Sequence, residues 1–495
     1  MKKHNNIIDG KYSPPHSGEY FPNKNPADLD DTIGFYAKSD RIDVDKAVKA
    51  ARRAYKKWKL APASYRGKII LKAYELLIKK KEVLAEVETR EMGKIFTETL
   101  GDVQEAIDTA FYMAGEGRRL FGITTPSELR NKSAYTVREP VGVAGIITPW
   151  NFPAAIPAWK IFPALICGNT VVFKPAPDTP ETARLFVELL MEAGIPDGVV
   201  NLVYGFGKDA GEAMVNHPDI NLISFTGSTA TGSHIAEICG KTLKRCSLEM
   251  GGKNGQIILE DADLDLAVEG ALWGSFATSG QRCTATSRII IEKSILKDFT
   301  KRFLEKTKKL RLGNGMDKKT DVGPIINNSQ LEKITHYVEV GIKKDKAKLL
   351  CGGKRATGGK LKKGYFFEPT IFANGHKKMT IAQEEIFGPV TLIMPVNNLD
   401  EAMDVLNSTS YGLSSSIYTK DINKALKATS YAECGIVYVN GPTIGAECHL
   451  PFGGYKNTGN GHRESGNLVL DFFTETKTIY IDYSGRLQKA QIDTN

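Results

Sequence analysis

A chain of 495 residues exceeds what one hydrophobic core supports, so we expect two or more domains. Its composition, 41% hydrophobic and 25% charged, is that of an ordinary globular protein. The formal net charge of +9 invites a nucleic-acid interpretation. The basic residues, however, are spread along amphipathic stretches with glutamates close by, as on solvated helix faces, so we predict no nucleic-acid partner.

The seven cysteines are scattered, odd in number and form no C-x-x-C pair. A disulfide framework or a zinc site is therefore not expected, and a reducing compartment is the natural interpretation. The basic first six residues lead into no apolar segment, and no apolar run approaches the roughly 18 residues that span a bilayer. We predict a cytoplasmic protein with no metal and no membrane partner.

The first part of the chain reads as helix. Apolar residues at positions 44, 47, 48, 51, 55 and 58 fall at helical spacing, and amphipathic helix continues to about Gly117. The pattern changes between Ser127 and Ile147, where residues 134–138 and 141–144 are predicted strands on either side of a turn at Glu139 and Pro140.

Strands and helices then alternate. Short apolar strands are predicted at residues 170–173, 199–203 and 220–225. Thr179 precedes a proline and caps the helix after the first strand, and the helix after the second strand follows Gly205-x-Gly207. Such alternation predicts a parallel, doubly wound sheet. Glycine-bearing turns at its strand ends favour a nucleotide site.

A second alternation begins after about Gly252. Strands are predicted at residues 256–259 and 288–291, and helices at 264–277 and 299–310. A late strand at residues 478–482 is a candidate to pair with the early strand at 134–138.

Three segments stand out as carriers of chemistry: TPWNFP at 148–153, LEMGGK at 248–253 and GQRCT at 280–284. Each has an ordinary structural explanation. A single cysteine is more often a small buried hydrophobe, and an asparagine held between prolines is usually a turn residue. Gly205-x-Gly207 is also a weak dinucleotide signal by itself.

Together, these segments resemble the aldehyde dehydrogenase superfamily, in that family's order and approximate spacing. FTGST at 225–229, EEIFGP at 384–389 and PFGG at 451–454 match further motifs of the family. The resemblance runs from about residue 20 to residue 483, which is nearly the whole chain.

The resemblance implies three catalytic residues. Cys283 would attack the aldehyde carbon as a thiolate. The Asn151 side-chain amide and the Cys283 backbone N–H would hold the oxyanion. Glu249 would act as general base for the water that hydrolyses the resulting thioester.

The resemblance also implies the cofactor site. Glu385 would hold the nicotinamide ribose, Phe387 would pack beside it, and Lys174 would meet the adenosine ribose hydroxyls. The other implied contacts are Thr148, Pro149, Trp150, Pro177, Gly207, Phe225, Thr226, Gly227 and Ser228. NAD-preferring relatives often carry a glutamate where this chain has Pro177, so we expect NADP as well as NAD.

Three arginines indicate the class of substrate. Arg282 precedes the nucleophile, and Arg118 and Arg119 lie on a helix that in this family borders the substrate tunnel. Their guanidinium groups, beside Phe152, could clamp a distal carboxylate. Equally, Arg282 could be structural, and the arginine pair could face solvent or touch the cofactor.

The sequences at residues 25–28, 283–288 and 441–447 look most like those of 2-oxoglutarate semialdehyde (2,5-dioxopentanoate) dehydrogenases. Glyceraldehyde, succinate semialdehyde and broad-range aldehyde dehydrogenases are the rivals. We therefore predict a short semialdehyde acid as substrate.

Other classes fit less well. A CoA-acylating relative usually lacks a glutamate at position 249. A cysteine hydrolase needs a histidine partner, and none of the eight histidines lies within a nucleophile motif. A non-catalytic NAD-binding protein on the same fold would have lost Cys283, Asn151 or Glu249.

The implied fold class is α/β, with two doubly wound domains and a small β oligomerisation element. The Rossmann-like cofactor domain would comprise residues 1–125 and 146–252, and the catalytic domain residues 253–462. Residues 126–145 and the tail 463–495 would form the oligomerisation element, because relatives assemble as dimers or tetramers through such strands. We expect a homodimer or a homotetramer.

Overall fold

The computed structural model describes residues 2–493. Its α-helices are α1 Arg41–Trp58, α2 Ala63–Lys79, α3 Lys81–Met92, α4 Phe96–Glu116, α5 Ala155–Cys167, α6 Pro180–Glu192, α7 Glu212–Asn216, α8 Thr229–Thr242, α9 Leu264–Phe276, α10 Leu296–Thr307, α11 Asn328–Lys343, α12 Thr380–Gln383, α13 Leu399–Asn407, α14 Ile422–Tyr431 and α15 Val469–Phe472. Single turns of tighter or wider helix occur at Gly207–Gly211, Ala277–Gly280 and Gly359–Lys363.

The structure also contains 22 β-strands within residues 2–493. They are β1 Lys3–His4, β2 Asn6–Ile8, β3 Lys11–Ser13, β4 Tyr20–Asn25, β5 Asp28–Ala37, β6 Thr124–Pro126, β7 Lys132–Pro140, β8 Val143–Ile147, β9 Thr170–Lys174, β10 Val200–Leu202, β11 Leu222–Thr226, β12 Arg245–Glu249, β13 Asn254–Ile258, β14 Thr286–Glu292, β15 Lys348–Cys351, β16 Thr370–Ala373, β17 Val390–Val396, β18 Tyr411–Gly412, β19 Ser414–Tyr418, β20 Ile436–Val439, β21 Tyr455–Lys456 and β22 Thr474–Asp482.

The first large sheet has the strand order β12-β11-β8-β9-β10-β2-β3. The five strands from β12 to β10 in this order are parallel, which confirms the predicted doubly wound sheet. The chain moves outward from β8 in one direction through β9 and β10, and in the other through β11 and β12. The carboxyl ends of β8 and β11 therefore flank the point where the order reverses, which is where such sheets bind ligands.

The second large sheet has the order β15-β16-β17-β14-β13-β19-β20. Six of its strands are parallel, and β15 joins one edge antiparallel. Buried apolar clusters cover both faces of each large sheet. That arrangement explains the near-continuous apolar runs of strands such as β8 and β14.

The predicted turn between residues 134–138 and 141–144 is wrong. β7 continues to Pro140 and pairs with β6 and β22, whereas β8 lies in the centre of the first large sheet. The physical reason is burial: all five residues of β8 are buried, and those of β7 are mostly half-buried. The expected pairing of the late strand is confirmed, because Thr478 of β22 lies opposite Thr136 of β7.

Two features were not predicted. β4 and β5 form an antiparallel pair, joined at one edge by β1, near the N-terminus. In addition, Val469, Phe472 and Phe473 are buried in the core of the first large sheet. None of the helices within residues 2–493 has the length and apolar character needed to cross a membrane.

Candidate active site

Cys283 lies where two cavities meet. The larger cavity, of about 360 Å³, and a smaller cleft of about 160 Å³ both include this residue in their walls. Glu249 belongs to the wall of the larger cavity, whereas Glu385 and Phe387 belong to the cleft. A thiol at this position can react with a molecule in one space while it faces a molecule in the other.

The thiol of Cys283 is protonated at neutral pH in this structure. Burial raises its pKa to about 12, and the nearby carboxylates of Glu385 and Glu249 act in the same direction. Backbone hydrogen bonds from Thr284 and from Cys283 itself favour the thiolate but do not offset these effects.

Asn151 is a buried residue in the wall of the cleft that also contains Cys283. It follows β8 in the TPWNFP segment, and its Nδ2 donates a hydrogen bond to the Gln281 carbonyl oxygen at 3.2 Å. This contact connects the segment after β8 to the one that carries Cys283, and Asn151 and Cys283 both lie in the wall of the cleft.

Glu249 ends β12, opposite Thr226 of β11. Its side chain is buried, and within residues 2–493 its Oε1 atom has no hydrogen-bond partner. Burial, followed by the charge of Glu464, raises the pKa of Glu249 well above the ordinary value. Such a carboxyl group has the raised proton affinity that a general base needs near neutral pH.

The PFGG segment packs against this carboxyl group. A Cβ atom on Gly453 would come within 2.6 Å of Glu249 Oε1, and Gly453 has a φ of +146°. Only glycine suits both conditions, so this family motif shapes the space around Glu249.

A buried ion pair beside Glu249 was missed by the sequence analysis. Lys160 Nζ donates to Glu464 Oε1 at 2.6 Å and to Ser224 Oγ at 2.9 Å. Lys160 is a lone cation in the otherwise apolar, buried helix α5. That isolation was the available signal, because a buried lysine requires a partner.

The cleft contains most of the predicted cofactor residues. Its walls include Pro149 and Trp150 after β8, Thr226 at the end of β11, Gly227, Ser228, Glu385 and Phe387. Ser228 caps α8, so the positive end of that helix faces the cleft. Glu385 Oε1 accepts a hydrogen bond from the Gly252 N–H at 2.9 Å, and the rings of Trp150 and Phe387 meet edge to face at 5.4 Å.

Five other predicted cofactor residues lie outside the walls of this cleft. They occupy the ends of neighbouring strands or the turns that follow them: Thr148, Lys174, Pro177, Gly207 and Phe225. Lys174 Nζ donates to the carbonyl oxygens of Pro175 and Gly205, and burial lowers the pKa of Lys174 to about 8. These residues lie along the carboxyl ends of the strands of the first large sheet, outside the walls of the cleft that contains Cys283.

Arg282 and Phe152 lie in the wall of the larger cavity, as predicted for substrate contacts. The Arg282 guanidinium lies between the rings of Phe152 and Trp273, at 5.2 and 5.6 Å from their centres. Its Nη2 is also 3.6 Å from Glu98 Oε1. The charge of Arg282 is thus partly neutralised within the protein.

The structure contradicts the placement predicted for Arg118 and Arg119. Helix α4 ends at Glu116, and both arginines follow it in the wall of a separate cavity of about 470 Å³. Arg119 Nη2 turns back to Glu116 Oε1 at 2.6 Å. Neither arginine belongs to the wall of the cavity that contains Cys283.

The residues of the cleft suit a dinucleotide. Its walls combine an aromatic pair, a carboxylate and the N-terminus of a helix at the point where the strand order reverses. Nearby, Thr148 Oγ1 is buried and finds no hydrogen-bond partner in the part of the chain that the structure describes. Fold and site together define a dinucleotide-dependent oxidoreductase with a cysteine between its cofactor cleft and its substrate cavity.

Comparison with known proteins narrows this class. The model of the aldehyde dehydrogenase family matches residues 12–479. The chain therefore belongs to the aldehyde dehydrogenase family, and it is an NAD(P)-dependent aldehyde dehydrogenase.

Similar proteins act on different aldehydes. The chain is 40% identical over 476 residues to the alpha-ketoglutaric semialdehyde dehydrogenase of Bacillus subtilis (strain 168), a match that covers 96% of this chain and 97% of that protein. It is 45% identical over 484 residues to aldehyde dehydrogenase 1A1 of Homo sapiens, with 97% and 95% covered. The crystal structure of betaine aldehyde dehydrogenase from Staphylococcus aureus in complex with NAD+ matches with a TM-score of 0.95 at 36% identity, with 98% and 96% covered.

Proposed function

We propose that this enzyme oxidises an aldehyde to a carboxylic acid through a covalent thioester on Cys283. The observation that carries the proposal is the position of Cys283 in the walls of both the larger cavity and the cofactor cleft. An aldehyde in the cavity and a cofactor in the cleft would then meet at the sulfur atom.

In the first step, the thiol loses its proton and the sulfur attacks the aldehyde carbon, forming a thiohemiacetal. Among the acids in the wall of the same cavity, Glu249 is the one whose charge acts on Cys283, and it can accept the proton. The oxyanion would be held by Asn151 Nδ2 and the Cys283 backbone N–H, and loss of one such donor typically costs about 2.7–4 kcal/mol.

The cofactor would be held by Glu385, Phe387, Trp150 and Ser228 in the cleft. When bound, NAD(P)+ supplies the two-electron acceptor that turns the thiohemiacetal into a thioester. Glu249 first releases the thiol proton to solvent and then removes a proton from water, which attacks the thioester and releases the acid and the Cys283 thiolate. The charge of Glu464 beside Glu249 strengthens the binding of that proton.

We propose that both NAD and NADP are accepted. Pro177 brings no carboxylate to the turn after Lys174, so nothing at this position repels a 2′-phosphate. The next residue in the chain is the acid Asp178, and its Oδ1 accepts a hydrogen bond from Asn327 Nδ2 at 2.9 Å.

We propose a short semialdehyde acid, such as 2,5-dioxopentanoate, as the substrate. Arg282 is the cationic side chain in the wall of the larger cavity, and the relative from Bacillus subtilis is named for alpha-ketoglutaric semialdehyde. An arginine can bind a distal carboxylate with two parallel hydrogen bonds.

A second candidate is a broad-range aldehyde dehydrogenase. Phe152, Trp159, Trp273 and Phe452 make much of the larger cavity aromatic, and its volume of about 360 Å³ leaves room for more than a five-carbon acid. The partial neutralisation of Arg282 by Glu98 also favours this candidate.

The deciding experiment follows NAD(P)H absorbance with 5-oxopentanoate and pentanal, two aldehydes of equal chain length. A semialdehyde dehydrogenase should prefer the acid by roughly 10–100-fold in kcat/KM, the usual value of a hydrogen bond to a charged group. Arg282→Gln should abolish this preference, and Arg119→Gln, which changes an arginine outside the cavity, should preserve it. Equal kcat/KM for the two aldehydes would establish the broad-range alternative.

Cys283→Ala tests the chemistry itself and should form no NAD(P)H with either aldehyde. Adding CoA to the wild-type assay should leave the rate unchanged if water is the acceptor of the acyl group. CoA-dependent turnover would assign the enzyme to the acylating class instead.

We also propose that the sheet β22-β7-β6 mediates assembly into a homodimer or a homotetramer. The apolar side chains of Tyr480 and Ile481 on β22 are exposed in the single chain. We propose a cofactor domain of residues 1–125 and 146–252, a catalytic domain of residues 253–462, and an oligomerisation element and tail of residues 126–145 and 463–495.

A further inference from the structure

The backbone just before the nucleophile adopts an unusual conformation. Thr278, Ser279 and Gly280 have φ angles of +54°, +55° and +66°. Left-handed conformation is common for glycine but disfavoured for threonine, whose β-branched side chain crowds the backbone. Three such residues in a row need outside contacts to hold them, and Cys283 lies three residues further on.

One of these contacts comes from a distant part of the chain. Glu98 in α4 is buried, and its Oε1 accepts a hydrogen bond from the Thr278 backbone N–H at 2.8 Å. The hydroxyl of Thr278 accepts a second hydrogen bond from Arg282 Nε at 2.9 Å. Ser279 Oγ donates to the Gly323 carbonyl oxygen at 2.7 Å.

The same face of α4 also holds the segment that carries Asn151. Asp102 lies one helical turn after Glu98, and its Oδ1 accepts a hydrogen bond from the Ala155 backbone N–H at 2.7 Å. Asp102 in turn pairs with Lys94, whose Nζ lies 4.1 Å from the centre of the Phe152 ring. Helix α4 therefore contacts both the segment that carries Asn151 and the turn that precedes Cys283.

We propose that Glu98 is a positioning residue for the nucleophile: its hydrogen bond to Thr278 keeps the left-handed turn closed, and the turn sets the place of the Cys283 thiol and backbone N–H relative to the Asn151 amide. This inference rests on the proposed role of Cys283. Glu98 acts through geometry, because a small displacement of a reacting group lowers the rate steeply.

The charge of Glu98 offers a rival explanation. Glu98 Oε1 is 3.6 Å from Arg282 Nη2, a distance at which an ion pair acts but a hydrogen bond does not. If neutralising Arg282 were the role of Glu98, the negative charge would matter and the reach of the side chain would not.

Two conservative variants separate these explanations. Glu98→Gln keeps the length of the side chain and an oxygen acceptor for the Thr278 N–H but loses the charge. Glu98→Asp keeps the charge but is one methylene too short to reach the turn. We expect kcat at saturating cofactor to stay within about threefold in Glu98→Gln and to fall roughly 10–100-fold in Glu98→Asp, with KM for NAD unchanged in both.

Glu91→Asp is the matched control. Glu91 is equally buried, and its carboxylate accepts hydrogen bonds from the backbone N–H groups of Glu181 and Thr182, far from the turn. This variant should lose thermal stability to a similar extent and keep the wild-type kcat. The assay is NADH formation from propanal, with kcat expressed per NAD-binding site.

A wild-type kcat in Glu98→Asp, or a larger loss in Glu98→Gln than in Glu98→Asp, would overturn the proposal. Equal losses in Glu98→Asp and Glu91→Asp would overturn it as well, since they would reveal a general effect on folding. If Glu98→Asp does not fold, Glu98→Gln still decides, because a tenfold fall there contradicts a role through the hydrogen bond. Turnover that survives in Cys283→Ala would instead disprove the proposed function.

Discussion

The nucleophile is surrounded by acids. Reactive cysteines usually gain their thiolate character from a neighbouring cation or a helix N-terminus. The charges that act on Cys283 are those of Glu385 and Glu249, and both raise the pKa of its thiol. The resting enzyme is therefore a weak nucleophile, and the proton must leave when the site fills.

We predict that alkylation of Cys283 by iodoacetamide, without cofactor, keeps accelerating with pH far above neutrality. A pKa of about 12 means that the reactive thiolate fraction still grows tenfold with each pH unit in this range. The measurement is the rate of activity loss at a series of pH values at which the protein stays folded.

Glu249→Gln provides the comparison for this experiment. Removing that negative charge should lower the pKa of the thiol and speed alkylation at alkaline pH, where Glu249 is ionised, although turnover is lost. A rate that levels off near the ordinary thiol pKa of about 8.5 would contradict the prediction.

At this scale the sequence predicted the residues to which we assign the reaction but not the groups that hold them. Cys283, Asn151 and Glu249 were predicted because each lies in a short recognisable segment, and the structure brings all three together. Glu98 and Glu464 carry no local signal. Their roles depend on partners 180 and 304 positions away, which no local pattern can reveal.

Among the elements, the parallel strands of the first large sheet were predictable, and of the antiparallel additions only the pairing of β22 with β7 was. Alternating buried strands and amphipathic helices predicted the first large sheet, because each strand must be apolar on both faces. β4 and β5 contain many charged and amide residues and keep only part of their surface buried, so their pattern is weak. β7 and its pairing with β22 were predicted, whereas the short strand β6 on its other side was not.

The edge strand β22 leads to a prediction about assembly. Its outer edge is unpaired in the single chain, and Tyr480 and Ile481 are 66% and 48% exposed. An exposed edge with such side chains is a ready template for pairing with another chain. Tyr480→Asp combined with Ile481→Asp should therefore shift the protein to monomers, as measured by sedimentation velocity.

Ile422→Asp serves as the control, because Ile422 is equally exposed but lies at the start of α14. This variant should sediment like the wild type. An oligomer that survives in the double variant would move the interface away from β22.

In the whole molecule, the cofactor cleft joins the two α/β units. Thr226 and Ser228 reach it from the first large sheet, and Glu385 and Phe387 from the segment that precedes β17 of the second. A ligand in this cleft should therefore stabilise both units together. The motifs predicted many residues of this cleft, although five predicted cofactor residues lie outside its walls. The wall of the substrate cavity depends on packing, and the prediction that Arg118 and Arg119 belong to it was wrong.

We predict that NAD raises the unfolding temperature of the whole chain in a single transition. Ligand at 100 times its Kd adds about 2.7 kcal/mol to the free energy of unfolding. Differential scanning calorimetry with and without NAD measures the shift. Phe387→Ala should reduce it, and Phe111→Ala, which removes an aromatic ring from the separate cavity beside Arg119, should not.

Two transitions, of which only one moves with NAD, would show that the cleft does not couple the units.

The burial of Val469, Phe472 and Phe473 in the first core has a consequence for biosynthesis. Asn169 Nδ2 donates a hydrogen bond to the Phe473 carbonyl oxygen, and the β22 strand that follows closes on β7. A nascent chain on the ribosome therefore lacks part of its N-terminal core until residues 469–473 have been synthesised. Until then its apolar surface stays open to chaperones and to aggregation, so premature termination anywhere before residue 469 should yield material destined for proteolysis rather than a shortened enzyme.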